Sequence, residues 1–152
     1  MLTKTGLQIH LRWMIRRDMS EVLTIEQASF EYSWTEEDFL HCLCRRNCIG
    51  MVAEQGECVV GFMLYELYKT ELHILNFAVH PGWRHLGIGT QMVDKLISKL
   101  SNRRRTRIIL DIRETNLCAQ LFFRSREFLA TSVVRKHFDN HEDAYRMVYL
   151  LR

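Results

Sequence analysis

The stretch Arg84-His85-Leu86-Gly87-Ile88-Gly89-Thr90 holds residues well suited to chemistry. It overlaps a block, residues 81–89, that contains the chain's one proline and three of its seven glycines. Gly87 and Gly89 carry no side chains, so the backbone there can turn tightly and approach a ligand. The following residues, TQMVDKLISKL, put Met92, Val93, Leu96, Ile97 and Leu100 on one helical stripe. A helix starting at such a loop offers N–H groups without internal partners and the positive end of its dipole. That combination favours phosphate or pyrophosphate. A dinucleotide site would want GxGxxG after the first strand, and a P-loop would need GK[ST]; this loop has neither. For a lone GxG, a plain structural turn stays ahead of an anion site.

The loop follows LHILNFAV, which is apolar on both faces and is expected to be a central strand. LQIHLRWMIRR reads as a first strand. Asp18 reads as an N-cap, with Glu21 three residues on, opening the helix MSEVLTIEQAS. Thr35, with Asp38 in the box position, opens EEDFLHCLCRR in the same way. IGMVAEQ and CVVGFMLYELYK read as strands around a turn at Gly56. TRIILDIR is a further buried strand, NLCAQLFFRSR a short helix opened by Asn116, and FLATSVVRK and DAYRMVYLL are closing strands. The expected fold is α/β, with a mixed central sheet of about seven strands and helices on both faces. The 152 residues suit a single domain over 1–152.

Hydrophobic residues at 47% and charged residues at 26% fit a globular protein. No run of about 18 apolar residues is present, so no membrane span is expected. The opening MLTKTGLQIH has no apolar signal core, which points to the cytoplasm. The five cysteines are then expected as reduced thiols. Cys42, Cys44 and Cys48, with His41 beside them, match no standard zinc spacing, so no metal is expected. Net charge is a mild +3. Arg103, Arg104, Arg105 and Arg107 form a basic cluster, but no aromatic residues are interleaved, and a solvated helix end explains it without direct nucleic-acid binding.

The full pattern Val79, Pro81, Arg84, Gly87 and Gly89, as V-x-P-x-x-[RQ]-x-x-G-x-G, resembles the acetyl-CoA motif of the GNAT N-acetyltransferase family. LNFAV resembles that family's splayed fourth strand, and LDIRETNLCAQLFF its fifth strand and next helix. SWTEEDF and HEDAYRM resemble the RimI branch and its eukaryotic N-terminal acetyltransferase relatives. The resemblance spans nearly the whole chain. It implies a sheet splayed between the fourth and fifth strands and acetyl-CoA as donor. The backbone of Phe77, Ala78 and Val79 would pair with the pantetheine arm. The loop Arg84, His85, Leu86, Gly87, Ile88, Gly89 and Thr90 would hold the pyrophosphate. Asn116 and Phe123 would contact the cofactor near its pantetheine.

The acceptor so implied is a protein or peptide N-terminus, as in acetylation of a ribosomal protein, entering across the splay beside Trp34, His137, Phe138 and Tyr145. In RimI-like enzymes a glutamate on the fifth strand is the base; here that place holds Asp111, which is expected to act directly or through water. The family's tyrosine acid corresponds to Phe123, which cannot donate a proton; Tyr145 and His137 are the candidates to replace it. The family's Leu-Gly after this helix is Arg126-Glu127, which would put a glutamate in a left-handed conformation at a cost of about 1 kcal/mol. Other readings stay open: acetylation of a lysine or small amine, a weakly catalytic acyl-CoA-binding module, or an RNA-associated protein using the 103–107 arginines. His73 is expected to be packed or paired, Cys118 to be a buried thiol, and Phe39 to be core or part of the peptide entrance.

Overall fold

The computed structural model describes residues 7–152. Seven strands form one sheet in the order β1-β2-β3-β4-β5-β7-β6. They are β1 (His10–Trp13), β2 (Cys48–Gln55), β3 (Cys58–Leu67), β4 (Glu71–Val79), β5 (Arg107–Arg113), β6 (Leu129–Val134) and β7 (Ala144–Leu150). The helices are α1 (Met19–Ser29), α2 (Glu36–Leu43), α3 (Ile88–Ile97) and α4 (Leu117–Ser125). β4 and β5 run parallel, while the other pairings are antiparallel. This is the mixed sheet of seven strands that the strand pattern suggested. No helix among the described residues is long and apolar enough to cross a membrane.

Alternation along β2 and β3 sends side chains to opposite faces, so the sheet carries two cores. Met51, Ala53, Met63 and Tyr65 pack with Met92, Val93 and Leu96 of α3. Val52, Phe62 and Leu64 pack with Val22 and Ile25 of α1 and Phe39 of α2. Phe39 is fully buried, edge-on to Trp34 at 5.1 Å and to Phe62 at 5.5 Å, and is core. A buried aromatic of this kind contributes roughly 3 kcal/mol.

Two irregularities shape the centre of the sheet. The register between β3 and β4 shifts so that Leu64 pairs with Asn76 and Tyr65 with Ile74, leaving Leu75 as the extra residue of a bulge. The pairing of β4 with β5 runs only from Glu71 opposite Arg107 to Ile74 opposite Leu110. The bulge and the splay therefore begin at the same place. A one-residue insertion reverses which face the later side chains occupy. Leu72 and Ile74 lie in the α3 core, whereas Ala78 lies in the α1 core. β4 is central, but its side chains alternate between buried and half-buried instead of being covered on both faces.

The helix ends follow local chemistry with one correction. Thr35 caps α2 as expected: its hydroxyl accepts from Asp38 N–H at 3.2 Å and Asp38 accepts from Thr35 N–H at 2.8 Å. Asp18 does not cap α1. It is buried and accepts from Ile15 N–H at 2.8 Å and from both Nη atoms of Arg12 at 2.8 and 2.9 Å. The Arg12 guanidinium holds the Asp18 carboxyl below its usual range, helped by the Ile15 amide and opposed by burial. Glu21, expected as its box partner, accepts instead from Val59 N–H at 3.0 Å. α4 ends as a Schellman turn, with Glu127 N–H donating to Arg124 C=O and Phe128 N–H to Phe123 C=O, both at 3.0 Å. Glu127 takes the left-handed conformation there, with φ 72°.

Candidate active site

After β4, His80 N–H donates to Val60 C=O at 2.8 Å, and Pro81–Trp83 form a short 3-10 turn. Arg84 then ties the loop down: its Nε donates to Val79 C=O and its Nη2 to Ser29 Oγ, both at 3.1 Å. The loop needs two left-handed residues, His85 at φ 64° and Gly87 at φ 82°. Gly87 is the residue before α3, and the first intrahelical bond to it comes from Gln91 N–H at 3.1 Å. The amides of Ile88, Gly89 and Thr90 thus have no partners within the helix. Gly89 has a separate role. A Cβ there would sit 3.0 Å from Cζ of Phe122, so glycine lets α4 approach α3 closely.

These amides border a cavity of about 700 Å³. Arg84, His85, Gly87, Ile88, Gly89 and Thr90 line one end of it, and Phe77, Ala78 and Val79 run along β4. Asn116 and Phe123 close the α4 side. Of the expected cofactor residues only Leu86 is not part of this wall. Main-chain groups alternate along a strand, and the His80 bond to β3 fixes the phase. The groups of Ala78 therefore face β3, and those of Phe77 and Val79 face the open splay. Asn116 caps α4, its Oδ1 accepting from Ala119 N–H at 3.2 Å.

Across the splay lies a smaller cavity of about 140 Å³. Trp34 and Phe138 line it, with Asp111 and Arg113 from β5 and Glu26 from α1. Phe30, Phe77, Asn116, Ala119 and Phe123 border both cavities, so the two meet where β4 leaves β5. Phe123 is 3% exposed and packs edge-on against Phe77, Phe122 and Phe128. His137 and Tyr145 are not in the wall of this cavity. Tyr145 sits on β7 opposite Ile112.

Asp111 reaches the small cavity, but its carboxylate is engaged. Arg146, opposite it on β7, donates through Nε to Oδ1 at 2.9 Å and through Nη2 to Oδ2 at 3.0 Å. His137 Nε2 lies 3.7 Å from Oδ2. The mouth of the cavity is held by Arg113. Its guanidinium lies 4.0 Å from the Phe138 ring centre and 4.8 Å from that of Tyr32, and its Nη1 donates to Glu142 at 3.0 Å. Glu142 also accepts from the Thr115 hydroxyl at 2.6 Å and the Thr115 N–H at 3.1 Å. These bonds, the Thr115 hydroxyl foremost, bring the Glu142 carboxyl down to about 2.

Sequence reading missed Glu26. It is 1% exposed, and accepts from Trp34 N–H at 2.8 Å and from Asn76 Nδ2 at 2.7 Å. The signal was present: Glu26 falls four residues after Val22, on the inward stripe of α1. Elsewhere, His73 pairs with Glu71 and stacks on Tyr68. Cys118 is exposed rather than buried, on the α4 wall of the large cavity. Burial raises the thiols of Cys42 and Cys48, the latter to about 11.

Residues 17–128 match the model of a family described as acetyltransferase (GNAT) family. The chain is 25% identical over 133 residues to a [ribosomal protein bS18]-alanine N-acetyltransferase of Escherichia coli K12, covering 86% of this chain and 89% of that one. Among solved structures it is similar to Ard1 from Thermoplasma volcanium, with TM-score 0.86 and 25% identity, over 96% and 99% of the two chains. It is similar in fold to Arabidopsis thaliana NAA60 in complex with acetyl-CoA, with TM-score 0.79 and 16% identity, over 95% and 100% of the chains.

Proposed function

We propose that this chain, which belongs to the GNAT acetyltransferase family, moves acetyl from acetyl-CoA to the α-amino group of a protein N-terminus. It is an acetyl-CoA-dependent N-acetyltransferase; the class of acceptor is the proposal. The observation that carries it is the meeting of two cavities through the β4–β5 splay, one large and ended by helix amides, one small and lined by Glu26, Trp34 and Asp111. The relative from Escherichia coli is named for acting on an alanine of ribosomal protein bS18, which supports a protein N-terminus, and a ribosomal one, as acceptor. Folding of 1–152 as one domain is part of the same reading, supported by the single sheet.

The large cavity suits a pyrophosphate. Its end is the positive pole of α3, with the free amides of Ile88, Gly89 and Thr90 and the left-handed Gly87. The open side of β4 offers the Phe77 C=O and the Val79 N–H to an extended amide chain, as an added strand would use them; the Phe77 N–H is bonded to Asn76 and the Val79 C=O to Arg84. When bound, acetyl-CoA supplies the acetyl group as a thioester. Phe123 and Phe77 keep water from the meeting point of the cavities. An α-amine has a pKa of about 7.7–8.0, so near neutral pH much of it is protonated and a base is needed.

The test is acetyl transfer read by mass spectrometry. Peptides with free N-termini would be incubated with the protein and acetyl-CoA, beside lysine peptides with blocked N-termini. Modification of the α-amine is the expected result. Modification of lysine alone would sink the proposed acceptor class.

A further inference from the structure

We propose that Glu26 on α1, rather than Asp111 on β5, takes the proton from the acceptor amine. This rests on the reading of the small cavity as the acceptor site. Three observations lead to it.

The first is placement. Glu26 lines the cavity beside Trp34 and Asn76, on the α1 side of the splay. The β4 bulge at Leu75 is what brings Asn76 there, since it turns the later β4 side chains toward α1. Asn76 also accepts from the Phe77 N–H at 2.9 Å, so Glu26 is bonded through one side chain to the amide where the strands part.

The second is charge. Of the described buried carboxylates, Asp18 is paired with Arg12 and Glu66 with Arg45, each at 2.8 Å. Glu26 is bonded only to a backbone N–H and an amide, both neutral. A buried carboxylate without a cation is costly, and such groups concentrate where chemistry needs them. Asp111 is the opposite case, with both oxygens held by one guanidinium.

The third is poise. Burial lifts the Glu26 carboxyl above its ordinary range, against the Trp34 and Asn76 bonds, and Asp38 on α2 pushes the same way. The other charged or titratable groups on this cavity are Asp111 and Arg113 of β5 and Tyr32 of the α1–α2 loop. A base moved toward the amine's own pKa accepts its proton more readily.

The step balances. Glu26 takes one proton from the ammonium, and the freed lone pair forms the N–C bond as the thioester C–S bond breaks. The second amine proton leaves with the thiolate as free thiol, and the first passes from Glu26 to solvent.

The test compares kcat against pH for wild type, Glu26→Gln, Glu26→Asp and Asp111→Asn, with melting temperature and acetyl-CoA binding for each. Glu26→Gln is expected to lose kcat on the order of a hundredfold or more, to exchange the acidic limb of the wild type for one set by the amine's own ionisation, at about 7.7–8.0, and to keep acetyl-CoA binding. Glu26→Asp should keep a displaced limb at lower kcat. Asp111→Asn should leave the limb where it is, whatever it does to the rate. A limb that keeps its wild-type midpoint in Glu26→Gln, or one that moves only in Asp111→Asn, overturns the proposal. Should Glu26→Gln fail to fold, an unmoved limb and unchanged kcat in Glu26→Asp overturn it equally. If wild type acetylates some amine other than an α-amine, the same comparison is read on that amine, so a wrong acceptor and a wrong base give different results. A protein that acetylates no amine overturns both.

Discussion

Arg146 holds Asp111 with a two-pronged grip, Nε to Oδ1 and Nη2 to Oδ2, from directly across the β5–β7 ladder. Asp111 in turn raises the Arg146 guanidinium above its ordinary value, against burial. The side chains are 38% and 15% exposed, so the pair is worth less than a fully buried one. Arg146→Met and Asp111→Asn should each destabilise by about 1 kcal/mol, with a coupling of similar size in the double variant. Urea unfolding of the cycle measures it. A coupling of zero would mean that the two groups are held by the strands and not by each other.

Glu127 is a glutamate in a position that favours glycine. Its φ of 72° is imposed by the Schellman turn, which is fixed in place by Phe128 packing on Phe123 at 5.2 Å. Its contact with Arg152, at 3.4 Å and largely exposed on both sides, contributes little. Glu127→Gly should therefore stabilise the protein by about 0.5–1 kcal/mol, the left-handed strain outweighing the looser unfolded chain. An unchanged or lower urea midpoint would contradict this.

Much of this was legible in the sequence because its signals are local. Apolar runs, broken by a turn at Gly56 and by the glycine loop after β4, marked the strands, Thr35 and Asp38 fixed the start of α2, and the glycines marked the loop before α3. What escaped depends on contacts distant in sequence. Nothing near Asp111 announces Arg146, which is delivered by strand register. Nothing in LHILNFAV announces the bulge at Leu75, so neither the pairing of Asn76 with Glu26 nor the half-covered face of β4 could be read. Asp18 was misplaced for the same reason: its partner Arg12 sits on the preceding strand, and that pairing outweighs a helix cap.

Gly89 gives a prediction whose sign depends on its neighbour. Alanine there gains up to about 1 kcal/mol in helix propensity. Its Cβ would press on the Phe122 ring at 3.0 Å, and overpacking costs about 1–3 kcal/mol. Gly89→Ala should thus destabilise wild type and stabilise a Phe122→Ala background. Unfolding midpoints in the two backgrounds decide it; a loss in both would place the clash elsewhere.

Glu142 sets an acid dependence. Its folded pKa, about 2, lies below the unfolded value, so the stability it contributes is present above the ordinary carboxylate range. That contribution fades as pH falls and is gone below about 2. The Thr115 amide, which donates to Glu142, should report the same titration by NMR, with the loop carrying Phe138 loosening alongside it. An amide midpoint near the free glutamate value of about 4.3 would show that the network does not hold the charge.

Phe123 stands where a tyrosine acid would be expected, and its ring is wedged among Phe77, Phe122 and Phe128. The departing thiolate has a pKa of about 8.5, low enough to leave with little proton assistance near neutral pH. Phe123→Tyr should accordingly keep kcat within the same order of magnitude, instead of raising it by the roughly hundredfold that a needed general acid supplies. It should also lower stability by about 1–2 kcal/mol, because a hydroxyl added to this apolar cluster loses water without gaining a partner. Steady-state kinetics on an accepted amine, with unfolding midpoints beside them, test both halves. A hundredfold gain in kcat would show that thiolate departure limits the enzyme and that phenylalanine holds its rate down; an unchanged midpoint would show that the new hydroxyl finds a donor or acceptor at the border of the two cavities.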